Sequence, residues 1–292
     1  MFGDAVWVVG GNAPSAGRPK LDKVWFYKNG WQPGPKLPVR LDSMPAASDG
    51  KRLFVVGGQT SDSKGRKTEI SRDVWILDGP DDDSWQKLDP PLPDERSGGA
   101  VAWDGQRLVF AGGQSHQDLN GDGNVDDGET VNRADVWVWE GEGEWRRIGQ
   151  LQRQREDLVA ASDGNGRVWF LGGADERRRV PLGAVDLVEN DRITPQPDID
   201  PVRSSSAGWI ADRGVCLFGG VTKDSLTTRV VCVPGTASPS STSPELPPLT
   251  LPRAGMGAAV QGKTVWLVGG FGPERKNGPV RPGLSIVEVL GL

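Results

Sequence analysis

The segment Asp118–Glu129 has the residue types and the spacing that a calcium ion needs. Oxygen-bearing side chains stand at positions 1, 3, 5, 7, 9 and 12 of an EF-hand loop pattern, as Asp118, Asn120, Asp122, Asn124, Asp126 and Glu129. Gly123 falls at position 6, where such a loop turns sharply. Ca²⁺ prefers about six to eight hard oxygen ligands, and this spacing wraps carboxylates and amides around one ion. The sequence therefore predicts calcium as a structural cofactor, and the alternative is a solvated acidic loop without a metal.

Five arginines recur before pairs of glycines and could recognise an anion. Each precedes the first glycine of a pair by 16 or 17 residues: Arg40, Arg96, Arg155, Arg203 and Arg253. A guanidinium group binds a carboxylate through two parallel hydrogen bonds, a geometry that Lys cannot supply. We therefore predict that these arginines bind an anionic ligand. The alternative is a structural role, in which they pair with neighbouring acids such as Asp42, Glu95, Glu156 and Asp157.

These candidate residues are spaced by a repeat that runs through the whole chain. An apolar run ending in Gly-Gly occurs six times, as VWVVGG to Gly11, LFVVGG to Gly58, LVFAGG to Gly113, VWFLGG to Gly173, VCLFGG to Gly220 and VWLVGG to Gly270. A second apolar strand follows each pair, and a Trp opens a third strand in the first three repeats. A segment of small residues after each arginine supplies a fourth strand. Four short strands per unit of about 50 residues, repeated around an axis, predict a β-propeller.

The glycine pair, the Trp that follows it and the small-residue strand resemble the repeats of the kelch family over essentially the whole chain. The resemblance implies an all-β, six-bladed kelch-type β-propeller, formed by residues 1–292 as a single domain. A calcium-binding loop, 114–133, is inserted in blade three. In that family, arginines at the inner-strand position often line the ligand-binding face. They contact acidic peptides or, in the similar bacterial sialic acid mutarotases, an acidic sugar.

The repeats depart from the family in their number of strands. We count 22 strands where 24 would complete six blades, because the chain begins before the second strand of blade one and stops after the third strand of blade six. An unpaired edge beside the axis is costly unless another strand pairs with it. We therefore expect a trimmed terminus or an unusual closure, with a neighbour's strand as a candidate partner for the first or last blade.

Composition narrows the classes of partner. The 292 residues carry 34 Lys and Arg against 39 Asp and Glu, a formal net charge of −5. The loops after the glycine pairs are basic and the opposite turns are acidic, so we expect an anionic protein or an acidic glycan on the basic face. Nucleic acid is not expected, because no aromatic residues for base stacking interleave with the basic ones, and no stretch is apolar enough to span a membrane.

The first residues show no signal peptide; we expect an extracellular or periplasmic location, with the cytoplasm as the alternative.

Few residues suit catalysis. One His and one Tyr exclude the copper site of the kelch-like galactose oxidases, which needs two of each. Our leading interpretation is therefore a non-catalytic binding propeller. One alternative is a sugar mutarotase or epimerase resembling the bacterial sialic acid enzymes, in which Glu95 or Glu156 transfers a proton. Another is a strand-exchanging component of an extracellular assembly. We expect His116 to be solvated. Cys216 and Cys232 lie on neighbouring antiparallel strands of blade five, and we expect them to be reduced, with a disulfide bond as the alternative.

Overall fold

The computed structural model describes residues 1–13, 19–61, 68–119, 129–175, 180–233, 246–273, 283–284 and 286–291. Across these ranges the regular elements are all β-strands, and no helix occurs. None of these segments therefore contains a helix long and apolar enough to cross a membrane. The prediction of an all-β fold is confirmed.

Short strands make up the described part of the chain. In chain order they are β1 (Val6–Val9), β2 (Val24–Tyr27), β3 (Trp31–Pro33), β4 (Leu41–Asp42), β5 (Ala46–Ser48), β6 (Leu53–Val56), β7 (Gln59–Ser61), β8 (Thr68–Ile70), β9 (Val74–Leu77), β10 (Gln86–Lys87), β11 (Ala100–Trp103), β12 (Leu108–Ala111), β13 (Gln114–His116), β14 (Thr130–Asn132), β15 (Asp135–Trp139), β16 (Arg146–Gln150), β17 (Val159–Ser162), β18 (Arg167–Leu171), β19 (Val185–Glu189), β20 (Arg192–Gln196), β21 (Ser206–Ile210), β22 (Gly214–Phe218), β23 (Val230–Val233), β24 (Gly257–Gln261), β25 (Thr264–Val268) and β26 (Val287–Gly291). The brevity of the strands agrees with a chain that contains 41 Gly and 23 Pro, the residues that favour turns.

Six antiparallel sheets follow one another along the described chain, with two smaller sheets beside them. The six are β1-β2-β3, β5-β6-β9-β10, β11-β12-β15-β16, β17-β18-β19-β20, β21-β22-β23 and β24-β25-β26. The smaller sheets are β4-β7-β8 and β13-β14. Each of the six is an antiparallel meander in chain order, and a succession of small meanders is consistent with a β-propeller.

The hydrophobic core lies between successive sheets. The strands β6, β12, β18 and β22 come from the apolar runs and are almost fully buried, because neighbouring sheets cover both of their faces. Phe54 and Phe110 join the second sheet to the third, Phe170 lies between the third and the fourth, and Phe218 lies between the fifth and the sixth. The inner strands β5, β11, β17, β21 and β24 contact one another in the same order. Each sheet from the second to the fifth thus packs on the next one in the sequence.

The expectation of reduced cysteines is wrong. Cys216 and Cys232 form a disulfide bond between β22 and β23, with a Cα–Cα distance of 4.0 Å. The two residues are direct partners in the antiparallel register, so both side chains project from the same face of the sheet. The adjacency of these strands was foreseeable from the repeat, but the register that brings the sulfur atoms into contact was not.

Candidate functional site

Each sheet from the second to the sixth begins with a tight turn, which we call an elbow. The elbow residue lies shortly before the inner strand and has a positive φ: 52° for Ser43, 65° for Gly98, 54° for Asp157, 50° for Ser204 and 64° for Gly255. Residues other than glycine rarely adopt this conformation, so the surrounding structure must impose it. The three polar elbows therefore mark a constrained position in the fold.

Backbone hydrogen bonds join the elbows to one another. Gly98 N–H donates to the Ser43 carbonyl at 2.8 Å, and Asp157 N–H donates to the Gly98 carbonyl at 2.8 Å. Ser204 N–H donates to the Asp157 carbonyl at 2.9 Å, and Gly255 N–H donates to the Ser204 carbonyl at 2.7 Å. One residue from each of five consecutive sheets therefore lies beside the next, at the end of the molecule where the inner strands begin. We call this row of residues the elbow chain.

The glycine pairs hold the elbows in place. The second glycine of each of five pairs donates its N–H to a carbonyl just ahead of the next elbow: Gly11 to Leu41 at 2.8 Å, Gly58 to Arg96 at 2.7 Å, Gly113 to Arg155 at 2.9 Å, Gly173 to Val202 at 2.9 Å and Gly220 to Arg253 at 2.8 Å. Both glycines of every pair have positive φ. The glycines are therefore needed for a sharp backbone turn against the neighbouring sheet.

These hydrogen bonds also correct the alignment of the arginines. The equivalent position, whose carbonyl accepts the glycine N–H, holds Arg96, Arg155 and Arg253 in three sheets but Leu41 and Val202 in the other two. Arg40 lies one residue before this position, and Arg203 lies one residue after it. The interpretation of the five arginines as equivalent residues is therefore wrong for Arg40 and Arg203.

Three of the arginines are buried and paired with acids. The exposed fractions of Arg96, Arg155 and Arg253 are 1%, 0% and 0%. Arg155 Nη2 lies 2.9 Å from Oδ2 of Asp186, which is itself fully buried, and Arg253 bonds to Glu288. These pairs connect the start of a sheet to its third strand. They are of the kind that the structural alternative describes, but the partners are Asp135, Asp186 and Glu288 and not the neighbouring acids considered from the sequence. The role of the three arginines in ligand binding stays a prediction.

Each of these acids also binds a backbone group. Asp186 accepts the N–H of Gln152 at 3.1 Å, and Glu288 accepts the N–H of Thr250 at 2.8 Å. Burial lowers the pKa of the Arg155 guanidinium, and the nearby Asp186 carboxylate opposes that shift. In each case one carboxylate binds both the arginine and the segment that precedes it. The ion pair therefore stabilises the turn that leads into the sheet.

Arg203 has a different environment, at the elbow chain itself. Its Nη1 lies 3.3 Å from Oδ2 of Asp157 and 3.5 Å from Oγ of Ser204, and Ser204 Oγ donates to the same Asp157 oxygen at 2.9 Å. The side chain is 15% exposed. Its Nη2 makes no hydrogen bond to any residue in the described ranges. Arg203 therefore lies beside two polar elbows with guanidinium N–H groups that have no partner in the described ranges, and its Nε is buried. Arg40 lies exposed near the second sheet.

Glu95 is the accessible carboxylate next to the elbows. It lies three residues before Gly98, and its Oε1 accepts the backbone N–H of His116 at 2.7 Å and lies 2.8 Å from His116 Nδ1. The two side chains are 32% and 22% exposed, and Oε2 of Glu95 makes no hydrogen bond within the described part of the chain. Glu156, the other acid considered from the sequence, is only 7% exposed. The expectation that His116 is simply solvated is wrong, because its ring holds Glu95.

The predicted calcium ligands fall largely outside the described residues. Asn120, Asp122, Asn124 and Asp126 lie there, while Asp118 and Glu129 are described. Pairing of β13 with β14 and a hydrogen bond from Gln117 N–H to the Glu129 carbonyl at 2.8 Å close the base of the insertion. The described residues alone contain no group of three or more metal-binding side chains. Calcium binding stays a prediction.

Comparison with known proteins identifies a similar fold. No protein-family model matches the sequence, and no curated protein matches it. Among solved structures the chain is similar to "Structure of YjhT", with a TM-score of 0.75 and 15% sequence identity. The similarity covers 99% of this chain and 92% of that one. At this identity the comparison shows the fold alone. It supports a propeller-like arrangement of the small sheets.

Proposed function

We propose that the protein is a cofactor-independent mutarotase or epimerase for an acidic sugar, resembling the bacterial sialic acid enzymes whose kelch-type repeats its own repeats resemble. The observation that carries the proposal is the presence of two partly exposed side chains of opposite charge close to elbow residues in the chain, Glu95 three residues before Gly98 and Arg203 next to Ser204. A carboxylate that can move protons and a guanidinium that can hold an anion are what such a substrate needs.

The proposed reaction opens and recloses a sugar ring. A base takes the proton of the anomeric hydroxyl, the bond between the anomeric carbon and the ring oxygen breaks, and the ring oxygen takes up a proton. Reclosure on the other face of the carbonyl reverses these steps. Glu95 suits both transfers, because His116 positions one of its oxygens and the side chain is 32% exposed.

Arg203 is the proposed anchor for the carboxylate of the sugar. One guanidinium nitrogen is held by Asp157 and Ser204, which fixes the plane of the group before any ligand binds. A preorganised guanidinium loses less conformational entropy on binding than a free one does. In this scheme the three buried arginines stay paired with their acids and stabilise the segments that lead to the elbows: Arg96, Arg155 and Arg253.

The proposal includes a six-bladed kelch-type propeller with the elbow chain at its axial mouth. Six glycine pairs, one for each sheet in the sequence, support the blade number. The hydrogen-bonded elbows support the placing of five inner strands around one axis. A site at the mouth of such a propeller receives side chains from several blades, which allows residues distant in sequence to meet one substrate.

We expect wild-type protein to accelerate the exchange between the α and β anomers of N-acetylneuraminic acid, measured by two-dimensional exchange NMR. Glu95→Gln should slow this exchange by about 10²-fold or more with little change in affinity. Arg203→Met should instead weaken binding by about tenfold or more, because one charge-assisted contact is lost. Arg229→Met is the control, since Arg229 is 61% exposed and, among the residues that the structure describes, forms its ion pair with Asp200 on the surface.

Unchanged exchange in the presence of wild-type protein would contradict the enzymatic proposal. Binding of the same sugar that requires Arg203 but produces no exchange would assign the non-catalytic binding role instead. Equal loss of affinity in Arg203→Met and Arg229→Met would show that a diffuse surface charge, and not the elbow chain, attracts the anion.

We also propose that calcium binds the insertion in blade three, and Asp118→Ala combined with Glu129→Ala should abolish that binding. The double change removes the first and the last ligand of the loop pattern, including the bidentate carboxylate. Calorimetric titration measures the loss, with Asp81→Ala plus Glu142→Ala as a control that removes two exposed acids elsewhere. Unchanged calcium affinity in the first variant would disprove the assignment.

A further inference from the structure

Within the described residues, the first sheet, β1-β2-β3, has an unpaired edge at β1, where the other five sheets have an inner strand. In those five sheets the strand that ends in a glycine pair lies between an inner strand and a third strand. β1 ends in the pair Gly10–Gly11 but is the edge strand of its sheet, and no described residue pairs with its other side. Its free backbone N–H and C=O groups form a template for one more strand.

In the six-bladed ring proposed above, three backbone groups that lie around this edge lack the partner that their counterparts have. The elbow chain runs from Ser43 to Gly255, and within the described residues the Ser43 N–H and the Gly255 carbonyl have no backbone partner. The N–H of Gly270 is also unpaired there, although the second glycine in each of the other five pairs bonds to the next sheet. All three groups are the ones that an elbow preceding β1 would satisfy.

Open space is present at the same place. A Cβ atom added to Gly57 would lie 2.4 Å from the Arg96 carbonyl oxygen of the next sheet, whereas one added to Gly269 would meet only the Leu284 carbonyl at 3.7 Å. A Cβ atom on Gly58 would lie 2.7 Å from the carbonyl of Asp42, in the segment that leads to the inner strand β5. The same atom on Gly11 would meet nothing within 4 Å. Both sides of the slot are therefore empty of described atoms.

We propose that this slot binds one extended strand of a partner polypeptide by β-augmentation. The strand begins with an apolar residue, continues after one residue with a small or polar elbow residue of positive φ, and then carries small side chains like those of β5 and β17. We expect an apolar first residue by comparison with the second sheet, where Leu41 is the residue two positions before the elbow. The two sheets have the same register, because Trp25 pairs with Val8 in the first and Trp75 pairs with Val55 in the second. A second copy of this chain does not fit, because each of its inner strands is already paired in its own sheet. The inference rests on the six-bladed ring proposed above, but it does not depend on the proposed enzymatic activity.

A synthetic peptide with the sequence of residues 39–50, which contains the elbow of the second sheet, is the probe. We expect saturable binding by fluorescence anisotropy and slower hydrogen exchange in residues 2–13, with no change in residues 287–291. Replacing the elbow Ser of the peptide by Gly should maintain or strengthen binding. Replacing it by Val should weaken binding by about tenfold or more, because a β-branched residue resists positive φ.

Three results would overturn the inference. One is the absence of saturable binding up to about 1 mM peptide, a very weak affinity. Another is equal binding of the Gly and Val peptides, or protection of β26 in place of β1. A third is a concentration-dependent dimer of the protein alone in which residues 2–13 are already protected, because a second copy would then fill the slot.

Discussion

Asp186→Ala should lower the free energy of unfolding by about 3–5 kcal/mol, because it leaves the guanidinium of Arg155 buried without its counter-charge. Both side chains have an exposed fraction of 0%, and their closest N and O atoms are 2.9 Å apart. The same change also removes the acceptor for the N–H of Gln152. Urea denaturation measures the effect. Asp200→Ala is the control, because Asp200 is 68% exposed and its ion pair with Arg229 should contribute under about 1 kcal/mol.

A double variant tests whether the charge itself is the cause. Arg155→Met combined with Asp186→Leu replaces the pair by apolar groups, and we expect it to recover most of the stability that Asp186→Ala loses. A loss below about 1 kcal/mol in Asp186→Ala would mean that the guanidinium finds water or another partner. Arg155 would then be available to a ligand, as the sequence predicted, and the structural role would be disproved.

The sheets were predictable from sequence because their signals are local. Apolar runs such as Leu53–Val56 are recognisable as strands, and the glycine pairs require positive φ at positions that no other residue adopts easily. The elbows have no such signature. Ser43, Asp157 and Gly98 occupy equivalent places, and short polar residues and glycine all tolerate this conformation. What makes them equivalent is a hydrogen bond to a residue tens of positions away.

The arginines show even more clearly that spacing along the sequence could not identify equivalent residues. The position equivalent to Arg96 lies 16 residues before a glycine pair in some sheets and 17 in others, so spacing could not exclude Arg40 or Arg203. One residue of displacement decides the outcome. At the equivalent position a side chain is buried against the third strand, and one residue later Arg203 reaches the elbows. The contact between Glu95 and His116, 21 residues apart, likewise depends on pairing that no local pattern reveals.

Gly57→Ala should destabilise the protein by roughly 3 kcal/mol or more, through two separable effects. The φ of Gly57 is 61°, where an alanine costs about 1–2 kcal/mol. In addition, the new Cβ would lie 2.4 Å from the Arg96 carbonyl oxygen, an approach that the backbone must relieve by moving. That movement displaces the segment that carries Glu95 and weakens the hydrogen bond from Gly58 N–H to the same carbonyl. Urea denaturation should show the stability loss, and anomer exchange should fall with it.

Two further glycines separate conformational strain from contact between sheets. Gly262 has a φ of 59° and no atom within 4 Å of a new Cβ, so Gly262→Ala should show the conformational cost alone. Gly269 is the counterpart of Gly57 in the sixth sheet, with a φ of 71°. A Cβ atom added there would meet only the Leu284 carbonyl oxygen at 3.7 Å among the described atoms, at the proposed slot. Gly269→Ala should therefore cost no more than Gly262→Ala. If Gly57→Ala costs no more than these two, the glycine pairs serve only the turn and do not hold the elbows. If Gly269→Ala costs as much as Gly57→Ala, a segment already fills the slot beside the first sheet.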